Sequence, residues 1–136
     1  MNKIEGMQNA FKQAKVVFFT TYSEEGVERS RQMTNFNSDT YAVMWFATER
    51  GTRKVQDILR DPRVSITFPS SKPGEFYVIE GKAELEPQSE VDEKWRWWWL
   101  YWHPSQTNRF WFPAGTNDPK RVIINVSPES AKLVKK

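Results

Sequence analysis

The chain reads as a mainly β protein, a small antiparallel β-barrel with a few helices. Three observations predict this class. Six short runs rich in β-branched and aromatic residues recur along 136 residues, several joined by hairpin-type turn clusters. Only three stretches carry helical spacing. No internal repeat and no long linker divides the chain, so residues 1–136 are expected to form one domain.

The elements follow in order. Residues 3–14 suit a helix, with Ile4, Met7, Phe11 and Ala14 on one apolar face. Val16–Tyr22 is β-branched and aromatic and reads as a strand. The turn Ser23-Glu24-Glu25-Gly26 returns the chain through Val27–Thr34. There Val27, Arg29, Arg31 and Met33 share one face. Two arginines beside Met33 are expensive inside a barrel unless an anion meets them. Asn37-Ser38-Asp39 is a further turn signal.

Tyr41–Thr48 is a dense strand, apolar on both faces and so expected to be central. Gly51-Thr52 breaks it. Thr52 is placed as the N-cap of a short helix over Lys54–Leu59, with Val55, Ile58 and Leu59 inward, and Asp61-Pro62 ends it. Val64–Phe68 and Phe76–Leu85 read as strands around the loop Pro69–Gly74. Ser89–Trp102 is a second substantial helix, His103–Asn108 a loop, and Arg121–Val126 a final strand. Lys132, Lys135 and Lys136 read as a solvated tail.

Composition narrows the function classes. The balance of apolar and charged residues suits a soluble domain, and no apolar run is long enough to span a bilayer. Glu5 sits where a signal peptide would start its apolar region. Cysteine is absent, which removes disulfides and thiolate metal sites and leaves the cytoplasm as the expected location. A single histidine, His103, argues against a zinc or triad enzyme, so no metal site is expected. A net charge of +3 is a weak excess, spread along the chain, and does not point to nucleic acid. Seven tryptophans and nine phenylalanines are the anomaly, enough planar surface for a core, an interface or a ring-binding pocket.

The region from Arg29 to Lys54 carries the chemistry. A bound phosphate wants N–H groups at a helix start, hydroxyls, and cations within reach. Thr48, Thr52, Arg53 and Lys54 supply these in one loop, and Arg31 can reach in from the neighbouring strand as a fork-shaped donor. The bland alternative is a solvated helix start. Cations there oppose the helix dipole by roughly 0.3–1 kcal/mol each, which favours an anion being present. Neither Gly-x-x-x-x-Gly-Lys-Ser/Thr nor Gly-x-Gly-x-x-Gly occurs, so neither a P-loop nor a Rossmann fold is supported.

Several motifs in order resemble a known family. They are Arg31-Gln32-Met33, Trp45-Phe46-Ala47-Thr48, Thr52-Arg53-Lys54-Val55, Asp61-Pro62-Arg63-Val64 and Glu80-Gly81-Lys82-Ala83. Trp111-Phe112-Pro113-Ala114-Gly115 with Asp118-Pro119 follows. Over roughly residues 10–130 the chain resembles the FMN-binding split barrels related to pyridoxamine 5′-phosphate oxidase, above all their general-stress-protein branch.

The resemblance implies a six-stranded antiparallel split barrel of FMN-binding type. It implies a homodimer, with FMN in clefts at the subunit interface. Arg31 and Lys54 would hold the phosphate, helped by Thr52 and Arg53. The backbone around Gln32, Met33 and Thr34 would face the isoalloxazine ring. Phe46, Ala47 and Thr48 would line the ring and ribityl chain, and Trp111 would approach from the partner subunit. The oxidase's C-terminal Arg-x-His is missing from Arg121–Val126, a glutamine expected near Phe76 is replaced, and Gln32 stands where the branch often has proline. The resemblance thus implies a relative of the oxidase rather than the oxidase itself.

Trp95, Trp98, Trp99 and Trp102 share one helix face, suited to packing or dimer burial, with a lid over the flavin as the alternative. His103 reads as a helix C-terminal residue rather than a proton donor. The leading expectation is an FMN-dependent oxidoreductase acting on a small molecule or a reduced nicotinamide, with FAD or a deazaflavin as other cofactors and no catalytic residue named. A non-catalytic module binding or sensing flavin, deazaflavin or haem is the second reading. A nucleic-acid-binding barrel is the weakest. Neither a nucleic-acid nor a membrane partner is expected.

Overall fold

The computed structural model describes residues 3–87, 91 and 121–135. Its elements run α1 (Met7–Gln13), β1 (Val16–Tyr22), β2 (Glu28–Thr34), β3 (Met44–Glu49), α2 (Arg53–Arg60), β4 (Arg63–Pro69), β5 (Glu75–Leu85) and β6 (Arg121–Lys135). The six strands form one sheet in the order β2-β1-β4-β5-β6-β3, with every pairing antiparallel. The sheet curls into a half-barrel and does not close. Its two edge strands, β2 and β3, approach each other without pairing. This is the expected split barrel.

Alternation builds the core. Val17 and Phe19 of β1 point inward while Val16 and Phe18 stay partly exposed. Phe46 packs edge-on to Phe19, with ring centroids 5.3 Å apart. Val64, Ile66 and Phe68 of β4, Ile79 and Ala83 of β5, and Val122, Ile124 and Val126 of β6 complete the interior. Helix α1 closes one end. Its Met7 and Phe11 are fully buried, as the helical spacing predicts, and the Phe11 ring lies 5.1 Å from Phe68. Asn35, just past β2, donates from Nδ2 to the carbonyls of Phe11 and Ala14 at 3.0 and 2.9 Å, satisfying the helix end.

Several expectations are corrected or refined. The strand over 41–48 is shorter and lies at a sheet edge, not the centre. Its outward apolar residue, Trp45, is covered by Phe36, stacked at 5.1 Å, rather than by a second layer. Thr52 occupies the N-cap position, but its hydroxyl donates to the Glu49 carbonyl at 2.9 Å and accepts nothing from the helix. Leu59 is 68% exposed instead of inward.

The final strand continues to Lys135, because Ser127-Pro128 does not end it. A bulge between Glu80 and Gly81 absorbs the register shift opposite Pro128. A Cβ at Gly81 would overlap the Ser127 carbonyl oxygen, so glycine permits the close backbone approach. Lys132 and Lys135 therefore sit on a strand, paired with Glu80 and Glu75 at 3.5 and 3.7 Å, rather than on a free tail.

Apart from Val91, which is buried, the expected helix over 89–102 lies outside the described residues, as do His103, the 103–108 loop, the Trp111–Asp118 motifs and Lys136. No helix among the described residues is long and apolar enough to cross a membrane.

Candidate functional site

The described candidate residues all fall on β2, on β3 or at the start of α2. Strands β2 and β3 border the seam where the barrel stays open. Backbone direction selects among them. Asn35 N–H donates to Lys15 and Ser23 N–H to Val27, which fixes the odd-numbered residues of β2 as those bonded to β1. The peptide groups of Gln32 and Thr34 consequently point to the open edge. On β3, the Asn37 side chain bonds both the N–H and the C=O of Trp45, at 2.9 and 3.0 Å, on the side away from β6. By the same alternation Ala47 turns its backbone to the seam. Phe46 turns its backbone to β6 and its ring into the core, so it offers the seam neither. Met33 is likewise buried by its side chain.

Arg31 is half-buried on β2. Its Nη1 donates to Thr21 Oγ1 at 2.8 Å and towards the Phe19 carbonyl at 3.4 Å. Thr21 in turn donates to Asp57 Oδ2 at 2.7 Å. Asp57 is 2% exposed, and its other oxygen meets Arg60 at 2.9 Å and Arg29 at 3.6 Å. Burial alone would push this carboxyl up. The Thr21 and Arg60 hydrogen bonds and the nearby arginine charges outweigh that and hold it below the usual carboxylate range.

Lys54 is half-buried on α2. Its pKa is pulled down by burial first and by the Arg31 charge second, with Glu49 offsetting only part. Among the described residues no carboxylate lies within ion-pair distance of it. Two half-buried cations thus lie close enough for the Arg31 charge to act on Lys54, a repulsion that an anion between them would relieve. Thr48, 7% exposed, makes no side-chain hydrogen bond among the described residues. A buried hydroxyl without a partner points the same way. These groups fit a phosphate.

The orientation of α2 supports this. At roughly 100° per residue, Val55, Ile58 and Leu59 would centre the helix on one direction. The buried arc instead runs through Lys54, Asp57, Ile58 and Val55, rotated so that a lysine and an aspartate turn inward and Leu59 faces solvent. Arg53, one position from Lys54, is exposed. It lines a separate open cavity of about 300 Å³ with Glu24, Arg29, Gln56, Asp57 and Arg60. The structure therefore half-buries Lys54 within range of the Arg31 charge and leaves Arg53 exposed, lining a different cavity. Trp111 lies outside the described residues.

Thr21 and Asp57 were not among the sequence candidates. The only available signal was an acid inside a short helix whose other neighbours are cationic.

An open six-stranded antiparallel half-barrel defines the split-barrel class. The chain belongs to the pyridoxamine 5′-phosphate oxidase-like family, whose model matches residues 2–135. It is 30% identical over 114 residues to General stress protein 26 of Bacillus subtilis (strain 168), covering 82% of this chain and 74% of that one. Among solved structures, an F420 reductase superposes with a TM-score of 0.70 at 17% identity, covering 96% of this chain and 98% of that one. An FAD-binding protein from Mesorhizobium loti gives 0.67 at 16%, covering 98% and 94%. At these identities the two structures speak for the fold.

Proposed function

We propose that this chain binds FMN at the seam between β2 and β3 and works as a flavin-dependent oxidoreductase on a small molecule or a reduced nicotinamide. One observation carries the reading. Arg31 and Lys54 are both half-buried, the Arg31 charge acts on Lys54, and Lys54 has no carboxylate partner among the described residues. Bound flavin would supply the electron-transfer chemistry, and the protein supplies position and electrostatics.

Arg31 and Lys54 would hold the phosphate with the Thr48 hydroxyl beside it, and Thr52 would have to turn its proton from the Glu49 carbonyl to join them. Backbone groups of Gln32, Thr34 and Ala47 at the open edges are available to the ring and ribityl chain, and Met33 backs them from the core. Arg53 would act from the rim. Phe46 contributes by packing under the seam. A site between two sheet edges suits a homodimer whose second copy covers the flavin, Trp111 being the candidate contact. The named ligands of the F420 reductase and the FAD-binding protein make a deazaflavin and FAD the rival cofactors.

The test is titration of FMN with the full chain, followed by quenching of flavin fluorescence. Quenching by the wild type and its loss in Arg31→Ala and Lys54→Ala is the expected result. Equal binding by all three proteins would remove these residues from the site. Oxidation of a reduced nicotinamide by the FMN-loaded chain then separates an enzyme from a carrier.

A further inference from the structure

We propose that Thr21 and Asp57 are positioning residues for the anion site, fixing Arg31 so that one edge of its guanidinium is held by the protein and another is presented to a phosphate. This rests on the phosphate reading of Arg31 and Lys54 and deepens it.

The donors divide cleanly. Arg31 Nη1 carries two protons, one directed to Thr21 Oγ1 at 2.8 Å and the other towards the Phe19 carbonyl at 3.4 Å. Among the described residues, Nε–H and the Nη2 protons have no acceptor. They form the side-on pair that matches two oxygens of a phosphate.

The relay behind Thr21 sets direction. A hydroxyl has one proton and two lone pairs. The buried Asp57 carboxylate can only accept, so the Thr21 proton turns to Asp57 Oδ2 at 2.7 Å and a lone pair turns to Arg31. Without the carboxylate, the hydroxyl could rotate its proton at the guanidinium and lose the bond. A carboxylate near an anion site would ordinarily repel the anion. Here Arg60 and Arg29 meet Asp57 Oδ1 at 2.9 and 3.6 Å and offset its charge. The three members come from β2, β1 and α2, so the relay also ties the helix bearing Lys54 to the strand bearing Arg31.

The experiment compares FMN with riboflavin, which lacks the phosphate, by fluorescence titration of the wild type, Thr21→Val, Thr21→Ser and Asp57→Asn. Valine keeps the branched shape without the hydroxyl, and serine keeps the hydroxyl. Thr21→Val is expected to weaken FMN about tenfold and leave riboflavin unchanged, with Thr21→Ser restoring the difference. Asp57→Asn is expected to act in the same sense, and serves if Thr21→Val fails to fold. An unchanged FMN affinity in folded variants, or equal losses for both flavins, would overturn the positioning role alone. Failure of the wild type to prefer FMN over riboflavin would overturn the phosphate reading, and the role with it.

Discussion

Replacing Lys54 with methionine should move stability and flavin affinity in opposite directions. Methionine retains most of the apolar stem and removes the ammonium. In the ligand-free protein that ammonium is half-buried, feels the Arg31 charge, and has no carboxylate within ion-pair distance among the described residues. Its removal should stabilise the free chain by about 0.5–1 kcal/mol, the scale of surface-charge improvements. For a domain of this size that is a rise of about 2–4 °C in Tm. A lysine bonded to a phosphate contributes about 1.5–3 kcal/mol as a charge-assisted hydrogen bond. The same substitution should therefore weaken FMN by about 10- to 150-fold. Urea or thermal unfolding of the free protein reads the first effect, and flavin-fluorescence titration the second. A destabilised free protein with unchanged FMN affinity would refute the reasoning, because Lys54 would then be an ordinary structural lysine.

Three further outcomes follow from the same geometry. FMN affinity should fall with rising pH earlier than for an ordinary lysine, since the free-state Lys54 pKa is lowered and only the protonated form holds the anion; titrations of wild type and Lys54→Met across alkaline pH check this, and the variant should lack that step. Asp57 is held below its unfolded value, so its contribution to stability is present above about pH 3.9 and is lost as pH falls through the folded value. Asp57→Asn should accordingly flatten the acid limb of stability measured by denaturation at a series of pH values. Gly81→Ala should destabilise the chain by about 2–3 kcal/mol, because the new Cβ meets the Ser127 backbone rather than a flexible side chain; an unchanged denaturation midpoint would show that the bulge yields freely.

The parts of the fold governed by short-range pattern were legible. Met7 and Phe11 on α1 and the alternation of Val17 and Phe19 on β1 follow from periods of 3.6 and 2, and the structure buries those side chains. Longer-range decisions were not. The strand around Trp45 looked two-sided and central, yet a stacked Phe36 covers one face at a sheet edge. The full length of the last strand was not legible beyond Val126, because the bulge that carries it through Pro128 depends on Gly81 of β5.

The same division runs through the site. Arg31 and Lys54 could be named because cations at a strand face and a helix start conflict with local physics. Asp57 could not, because its meaning depends on Thr21, 36 positions away, and on a helix rotated against its own apolar stripe to expose Leu59. A polar cluster overriding the apolar pattern is where sequence-level reasoning is expected to fail at a functional site.

The most direct measurement is identification of the small molecule that copurifies with the full chain, released by denaturation and characterised by absorbance and mass. FMN, or FMN taken up stoichiometrically when added to ligand-free protein, is the predicted result. A haem, a flavin without a phosphate, or a protein that neither carries nor takes up FMN would contradict the assignment of Arg31 and Lys54 to a flavin phosphate.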